Sequence, residues 1–148
     1  MNTPMDTVKT RAVDHAGLTV LSAEEAAARL ASCQVGRVSF LLDGDIEIFP
    51  VTYVMDGSAV AFQTDVGSKL SAALDRATVA FEIDGFDPAR RTGWSVVVKG
   101  ICEEVLDDDV LARLAATGHQ PWIRRGTPLR WVRIMPYSIT GRQLNPDE

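Results

Sequence analysis

Two Asp-Gly pairs divide the middle of this chain into consecutive strand-like segments. Asp43-Gly44 and Asp56-Gly57 suit the turn of a two-residue β-hairpin, because Asp and Gly both tolerate positive φ there. The segments around them, 38–42, 46–54 and 59–64, are rich in apolar and β-branched residues, as strands are. A tight hairpin joins only antiparallel neighbours, so these segments predict an antiparallel meander.

The second of these strands carries a proline. The alternation of apolar residues changes phase at Phe49-Pro50, and proline lacks the amide proton that a strand ladder needs. We therefore predict a bulge or an edge position there.

Helices and further strands surround the meander. Ser22 and Glu25 form a capping box at the start of a first helix, a second helix is predicted over 68–76, and acidic residues at 107–109 favour the start of a third. Further strands are predicted over 79–83, 94–105, 131–135 and 139–144, with loops over 84–92 and 118–128. In strand 94–105 the valines at 96–98 predict burial on both faces, and Gly100 predicts a kink.

The order of these helices and strands predicts an α+β fold built on an antiparallel barrel with short flanking helices. We expect a flexible N-terminal arm over residues 1–16 and a single domain over residues 17–148.

Composition excludes several classes of function. The net charge of −5 argues against a general nucleic-acid binder, which needs a basic surface. The only two histidines, His15 and His119, have no Cys, His or carboxylate at ligand spacing, so we expect no metal site and no histidine-based hydrolase. Cys33 and Cys102 lack CxxC spacing, and no segment reads as an export signal or a membrane span, so we expect reduced thiols and a cytoplasmic protein. Any chemistry then depends on a bound cofactor.

Three segments could hold such a cofactor. Gly67-Ser68-Lys69 follows a strand and opens a helix, which suits either a phosphate site or an ordinary helix cap beside a surface lysine. Arg90-Arg91 precedes Trp94, which suits an anion and a flat ring, or a solvated basic loop and a core tryptophan. The segment 50–53 (PVTY) suits ligand binding and barrel packing equally.

Ordered segments of the chain resemble the pyridoxamine 5′-phosphate oxidase-like family, most closely its short actinobacterial flavin-binding members. They are 36–40 (GRVSF), 49–54 (FPVTYV), 67–70 (GSKL), 81–84 (FEID), 91–100 (RTGWSVVVKG), 131–136 (WVRIMP) and 139–142 (ITGR). The resemblance implies a six-stranded antiparallel split β-barrel that forms a homodimer, with one FMN in each of two grooves at the interface.

The resemblance also implies the residues that bind the cofactor. By position, Gly67, Ser68 and Lys69 form the phosphate turn. The ring is lined by Val51, Thr52 and Tyr53, and Thr64 flanks the ribityl chain. Trp94 and Ser95 approach from the fifth strand, which could be that of the partner subunit, and Trp131 closes the groove.

Two departures from the family's pattern limit what it implies. The oxidase proper has Ser-Arg-Lys where this chain has Gly67-Ser68-Lys69, so one guanidinium is missing unless Arg37, Arg90 or Arg91 replaces it. The Arg-x-His pair that binds the pyridoxal substrate is also absent, because this chain ends with the run 141–144 (GRQL). Pyridoxamine phosphate oxidation is therefore not expected.

Several functions remain open at this stage. The leading one is an FMN-dependent oxidoreductase acting on a small acceptor that the sequence does not identify, with no catalytic side chain apparent. A second is a split barrel that binds the deazaflavin F420, for which Arg90 and Arg91 could hold the anionic tail, or haem, for which His15 or His119 would be the axial ligand. A third is a non-catalytic flavin store or sensor.

Overall fold

The computed structural model describes residues 12–14 and 16–144, so His15 and most of the predicted arm lie outside it. Three helices and seven strands are present in this part of the chain. The helices are α1 (Ala23–Ser32), α2 (Lys69–Leu74) and α3 (Asp108–Ala116). The strands are β1 (Thr19–Val20), β2 (Val35–Leu42), β3 (Asp45–Asp56), β4 (Ala59–Asp65), β5 (Thr78–Asp87), β6 (Thr92–Glu104) and β7 (Leu129–Leu144).

The seven strands form one antiparallel sheet that closes on itself. Their order is β1-β7-β4-β3-β2-β5-β6, and β6 also pairs with β7, so β2 to β7 form a ring of six. The α+β prediction is confirmed in this coarser form, but the sheet has seven strands rather than six. The additional strand, β1, pairs Thr19 with Gln143 at the end of β7. Two residues are too few to show a strand pattern in the sequence.

Strand β7 makes the closure possible because it pairs on both edges. Its first half lies beside β4, and from Val132 onward it also lies beside β6. We predicted two strands, 131–135 and 139–144, but the structure has a single strand of 16 residues with a bulge. The β6–β7 register moves from Lys99↔Ser138 to Gly100↔Pro136, so Tyr137 has no partner in this ladder.

The predicted kink at Gly100 coincides with this bulge. A Cβ atom at Gly100 would lie 2.3 Å from the Met135 carbonyl oxygen, so only glycine fits. The predicted burial of Val96, Val97 and Val98 on both faces was wrong for the middle residue. Val96 and Val98 point into the ring and are fully buried, whereas Val97 faces outward and is half-buried.

The turns form close to where the sequence predicts them, with two differences. Asp43 and Gly44 adopt φ of 52° and 84°, as the first hairpin prediction requires. In the second hairpin the turn is one residue later than expected, because Asp56 still pairs with Ala59. The predicted loop over 84–92 is mostly hairpin, since β5 runs to Asp87 and β6 starts at Thr92. Strand propensity did not reveal this extension because most of its residues are polar or glycine, whereas the long β5–β6 ladder holds them in strand geometry.

Two apolar clusters lie on opposite sides of the sheet. The larger one receives side chains from all six strands of the ring and is closed by Leu30 of α1 and Leu74 of α2. The smaller one lies outside, where Val110 and Leu114 of α3 cover Ala61 of β4. Adjacent β4 residues therefore serve the two clusters, because side chains alternate along a strand.

The ends of the described chain are also anchored. Val13 forms a bridge with Thr19, and the Asp14 carboxylate accepts a hydrogen bond of 2.9 Å from Arg142 Nε. Among residues 12–14 and 16–144, no helix is long and apolar enough to cross a membrane.

Candidate functional site

A groove opens where β3 and β4 part. Their ladder ends at Tyr53↔Phe62, although β3 reaches back to Asp45 and β4 continues to Asp65. Beyond that pair β3 stays with β2, and β4 stays with β7. Past this pair, the backbone amides and carbonyls of β3 and β4 do not hydrogen-bond to each other. This arrangement confirms the predicted edge position of Pro50.

A cavity of about 160 Å³ lies in this opening. Val35, Pro50 and Val51 form an apolar wall, and Thr52 and Gln63 place polar groups on its two sides. The loop after α3 covers it with Pro121, Trp122 and Ile123. Of the ring-lining residues implied by the resemblance, Val51 and Thr52 thus line the groove.

Tyr53 occupies a different environment. Its side chain is buried, its hydroxyl donates a hydrogen bond of 2.6 Å to the Leu30 carbonyl, and its ring meets Phe81 edge-on at 4.9 Å. Burial raises the pKa of the phenol well above its ordinary value of 10.0. The Tyr53 hydroxyl therefore fastens α1 to the sheet and does not face the groove.

The turn after β4 forms as its sequence predicts. Gly67 has a φ of 91°, which glycine adopts without strain, and Ser68 caps α2. The Ser68 hydroxyl accepts a hydrogen bond of 3.0 Å from the Ser71 amide and donates one of 2.8 Å to Asp65. Both hydrogen bonds serve the fold, so Ser68 acts as the cap of α2.

Lys69 is the exposed cation at this end of the groove. Its ammonium forms an ion pair with Asp43 in the β2–β3 turn, and the two side chains are 75% and 67% exposed. This pair bridges the strands at the opposite end from the Tyr53↔Phe62 junction. The sequence marks Asp43 only as a turn former, so its contact with Lys69 was not predicted.

A buried polar network lies behind α2. The Thr64 and Ser71 hydroxyls are 2.9 Å apart, and Arg130 donates to the Ser71 hydroxyl at 2.9 Å and to its carbonyl. Glu104 pairs with the same guanidinium at 3.6 Å. Thr64 is therefore part of the support under the helix rather than of the groove surface. Arg130, directly before the predicted strand 131–135, was the available sequence signal for this network.

Trp94 and Ser95 do not join the groove within one chain. Trp94 lies near the start of β6, whereas Glu104 at its end neighbours Val132. At roughly 3.3 Å per residue, Trp94 and Glu104 are about 33 Å apart along the strand. The Trp94 ring instead packs under Arg29 of α1, whose guanidinium carbon lies 4.5 Å from the ring centroid.

Trp131 lies near the groove and has an aromatic neighbour that the site prediction omitted. The His119 and Trp131 ring centroids are 5.4 Å apart, and His119 Nε2 lies 3.4 Å from Thr52 Oγ1. Burial lowers the pKa of His119 below its ordinary value of 6.5, so the ring is neutral at pH 7. The available signal was its position in the predicted loop 118–128, but from the sequence His119 was considered only as an axial haem ligand.

Two of the three arginines proposed to replace the missing guanidinium are engaged elsewhere. Arg37 contacts Glu82 at 3.3 Å and Asp84 at 3.2 Å on the outer face of the sheet, and Arg90 pairs with Asp87. Arg91 is exposed in the β5–β6 turn, where its φ is 55°. Within the part of the chain that the structure describes, no three His, Cys, Asp or Glu side chains are grouped to share a metal ion.

Comparisons with known proteins identify the family of this chain. A family model described as pyridoxamine 5′-phosphate oxidase matches residues 22–143. Rv0080, an uncharacterized protein of Mycobacterium tuberculosis, is 36% identical over 132 residues, which cover 86% of each chain. The FAD binding protein from Mycobacterium smegmatis has a TM-score of 0.75 at 36% identity, over 86% of this chain and 100% of that one. A conserved protein of unknown function from Corynebacterium diphtheriae has a TM-score of 0.71 at 34% identity, over 84% of this chain and 96% of that one. The chain therefore belongs to the pyridoxamine 5′-phosphate oxidase family.

Proposed function

We propose that this protein binds a flavin nucleotide in the groove between β3 and β4 and acts as an oxidoreductase on a small molecule. The observation that carries the proposal is the groove itself, which has two open backbone edges, an apolar wall and an exposed lysine at one end. A flavin supplies hydride or electron transfer when bound, and the protein supplies its orientation and surroundings.

The residues present fit such a cofactor. Val35, Pro50 and Val51 offer an apolar surface for a flat ring, and the open strand edges offer amide and carbonyl groups for its polar rim. Lys69 and the amides at the start of α2 would hold the phosphate. Lys69 must then exchange its ion pair with Asp43 for one with the phosphate.

Two flavins are candidates. FMN, with its terminal phosphate, matches the single exposed lysine at the start of α2. FAD is the second candidate because the M. smegmatis protein, 36% identical over 86% of this chain, is a FAD binding protein. In that case the phosphate next to Lys69 would be internal, and the adenylate would extend outward past this exposed side chain.

A homodimer with the split-barrel architecture completes the proposal. The cavity of about 160 Å³ is smaller than the roughly 300 Å³ at which small-molecule sites begin, so a second chain would have to complete it. Leu41, Ile46 and Ile48 share the outer face of the β2–β3 hairpin beside the groove and are 65%, 73% and 65% exposed. Such a patch suits an interface between subunits. In a dimer, Trp94 and Ser95 could reach the groove of the partner.

Oxidation of pyridoxamine phosphate itself is not part of the proposal. Arg142 is the arginine that remains at the C-terminal end of the family match, and its guanidinium is bound by Asp14 and by the Gly141 carbonyl. The side chain is therefore held in place by the protein rather than presented to a substrate.

Spectroscopy and mass measurement test the proposal. The purified protein, saturated in turn with FMN and FAD, should give a bound-flavin visible spectrum and a higher melting temperature with one of them. Light scattering should give twice the chain mass of 16.1 kDa. If neither flavin binds, the proposal is wrong. A flavin that binds but is not turned over with nicotinamide nucleotides, nitroaromatics or quinones would favour storage or sensing.

A further inference from the structure

A second cavity lies beside the groove, beneath the loop that follows α3. It measures about 370 Å³, which is within the range of small-molecule sites. Thr52 and Trp122 line this cavity and the groove cavity alike, so the two spaces adjoin. We propose that this second cavity is the substrate pocket, and that it binds an uncharged planar molecule through a hydrogen bond from His119 and stacking on Trp122. The proposal rests on the flavin-dependent function proposed above.

The residues that line the second cavity indicate that its ligand is uncharged. The described residues that line this cavity include Gln34, Thr52, Thr117, His119 and Gln120, and none of the residues around it is Lys, Arg, Asp or Glu. An anion or cation that entered would lose hydration and gain no opposite charge. An uncharged molecule with an accepting oxygen loses much less, because hydroxyl, amide and imidazole groups replace the water.

His119 is placed to make the directional contact. Its ring is held on one side by Trp131 and faces Thr52 at 3.4 Å, which is long for a hydrogen bond. A ligand oxygen that accepts from the imidazole N–H or from the Thr52 hydroxyl would replace a weak contact with a better one. A neutral imidazole can donate one such bond without placing a charge in the pocket.

The exposed indole of Trp122 is the reason to expect a planar ligand. Its side chain is 79% exposed, although most tryptophans in folded proteins are largely buried. It lies between the two cavities, where its indole is accessible to a flat ring in either. Aromatic pairs prefer offset-stacked or edge-on contact, which favours an aromatic or conjugated ligand.

Benzamide and benzoate make a matched pair of probes, because they share a shape and differ in charge. Titration of the purified full-length chain would be followed by the NMR signals of the two histidine rings and of the Trp122 indole N–H. His119→Gln identifies which histidine signal is which, since the chain has only His15 and His119. We expect benzamide to shift the His119 and Trp122 signals and to bind at least about tenfold more tightly than benzoate.

Substitutions test the two contacts separately. Trp122→Ala should raise the dissociation constant of benzamide about fivefold, and His119→Ala should raise it about tenfold. Arg124→Ala, in the same loop and outside the lining, is the matched control and should leave it unchanged. Benzoate binding as tightly as benzamide, or a benzamide titration that leaves both wild-type signals in place, would overturn the inference.

The outcome also separates this inference from the proposed function. A chain that binds flavin but shows no benzamide response at His119 refutes the substrate pocket alone. A chain that binds benzamide at His119 but no flavin supports the chemistry of the pocket and refutes the flavin function.

Discussion

Lys69 offers a direct test of where the phosphate of the flavin lies. The substitution Lys69→Met removes the ammonium and keeps most of the aliphatic side chain. A hydrogen bond to a charged group contributes about 1.5–3 kcal/mol, and the side chain is 75% exposed, so the lower end applies. We therefore expect the dissociation constant of the flavin to rise about tenfold.

The substitution Asp43→Asn should strengthen flavin binding. The carboxylate competes with the phosphate for Lys69, but both partners are largely exposed, and such pairs contribute only about 0.2–1 kcal/mol. Flavin should therefore bind about 1.4- to fivefold more tightly to this variant. In the Lys69→Met background the gain from Asp43→Asn should shrink, because no cation remains to be released.

Fluorescence titration of the flavin at two salt concentrations measures these changes. Lys99→Met is the matched control, because it removes one exposed lysine of β6 that does not line the groove cavity, and it changes the net charge equally. High salt should narrow the difference between wild type and Lys69→Met. If Lys69→Met and Lys99→Met weaken flavin binding equally, or if Asp43→Asn weakens flavin binding, the phosphate is held elsewhere.

Three further predictions concern stability and reactivity. Gly36→Ala should cost about 1–3 kcal/mol of unfolding free energy in urea titrations, because its Cβ would lie 2.2 Å from the buried Phe81 ring, and an unchanged midpoint would contradict this packing. Asp56→Asn should cost about 1–3 kcal/mol at pH 7, because Asp56 accepts hydrogen bonds from two arginines, one of α3 and one of β7. Those guanidiniums hold the pKa of Asp56 below its ordinary 3.8. The contribution of Asp56 to the free energy of unfolding is therefore complete above about pH 5 and is lost as pH falls through the lowered folded pKa. If the stability difference between wild type and Asp56→Asn grows in acid, these arginine contacts do not stabilise the fold as described. A thiol reagent should modify only the half-buried Cys33 in the native protein, since burial raises the pKa of Cys102 to about 12, and native labelling of both thiols would contradict that burial.

Local features of the fold could be predicted because neighbouring residues determine them. The hairpin at Asp43-Gly44 and the capping box of Ser22 and Glu25 each depend on a few adjacent side chains, and the structure has both. The glycine turn before α2 and the serine that caps it depend on local chemistry in the same way. The family resemblance, carried by segments spread over most of the chain, added the architecture that no single segment specified.

The candidate site could be predicted only in part. Val51, Thr52 and Lys69 lie where a groove ligand would meet them, but the hydroxyls of Tyr53 and Thr64 are engaged in the core and under α2. Alternation along β3 assigns adjacent side chains to opposite faces, but the groove lies at an edge of the strand, where Pro50, Val51 and Thr52 all line it. The position of that open edge depends on where β3 and β4 stop pairing, and the sequence of β3 does not show it.

The sequence by itself determined the antiparallel hairpins, the helix starts and a turn with a lysine after the third predicted strand, because these depend on contacts within a few residues. Only the tertiary structure decided that β7 closes the ring by pairing with both β4 and β6. Beyond the Tyr53↔Phe62 pair, β4 continues beside β7 while β3 stays beside β2, and the groove opens between them. The tertiary structure also brings Asp43 to Lys69 and His119 to Thr52. These contacts join residues distant in sequence, and their geometry is set by strand register and packing rather than by local propensity.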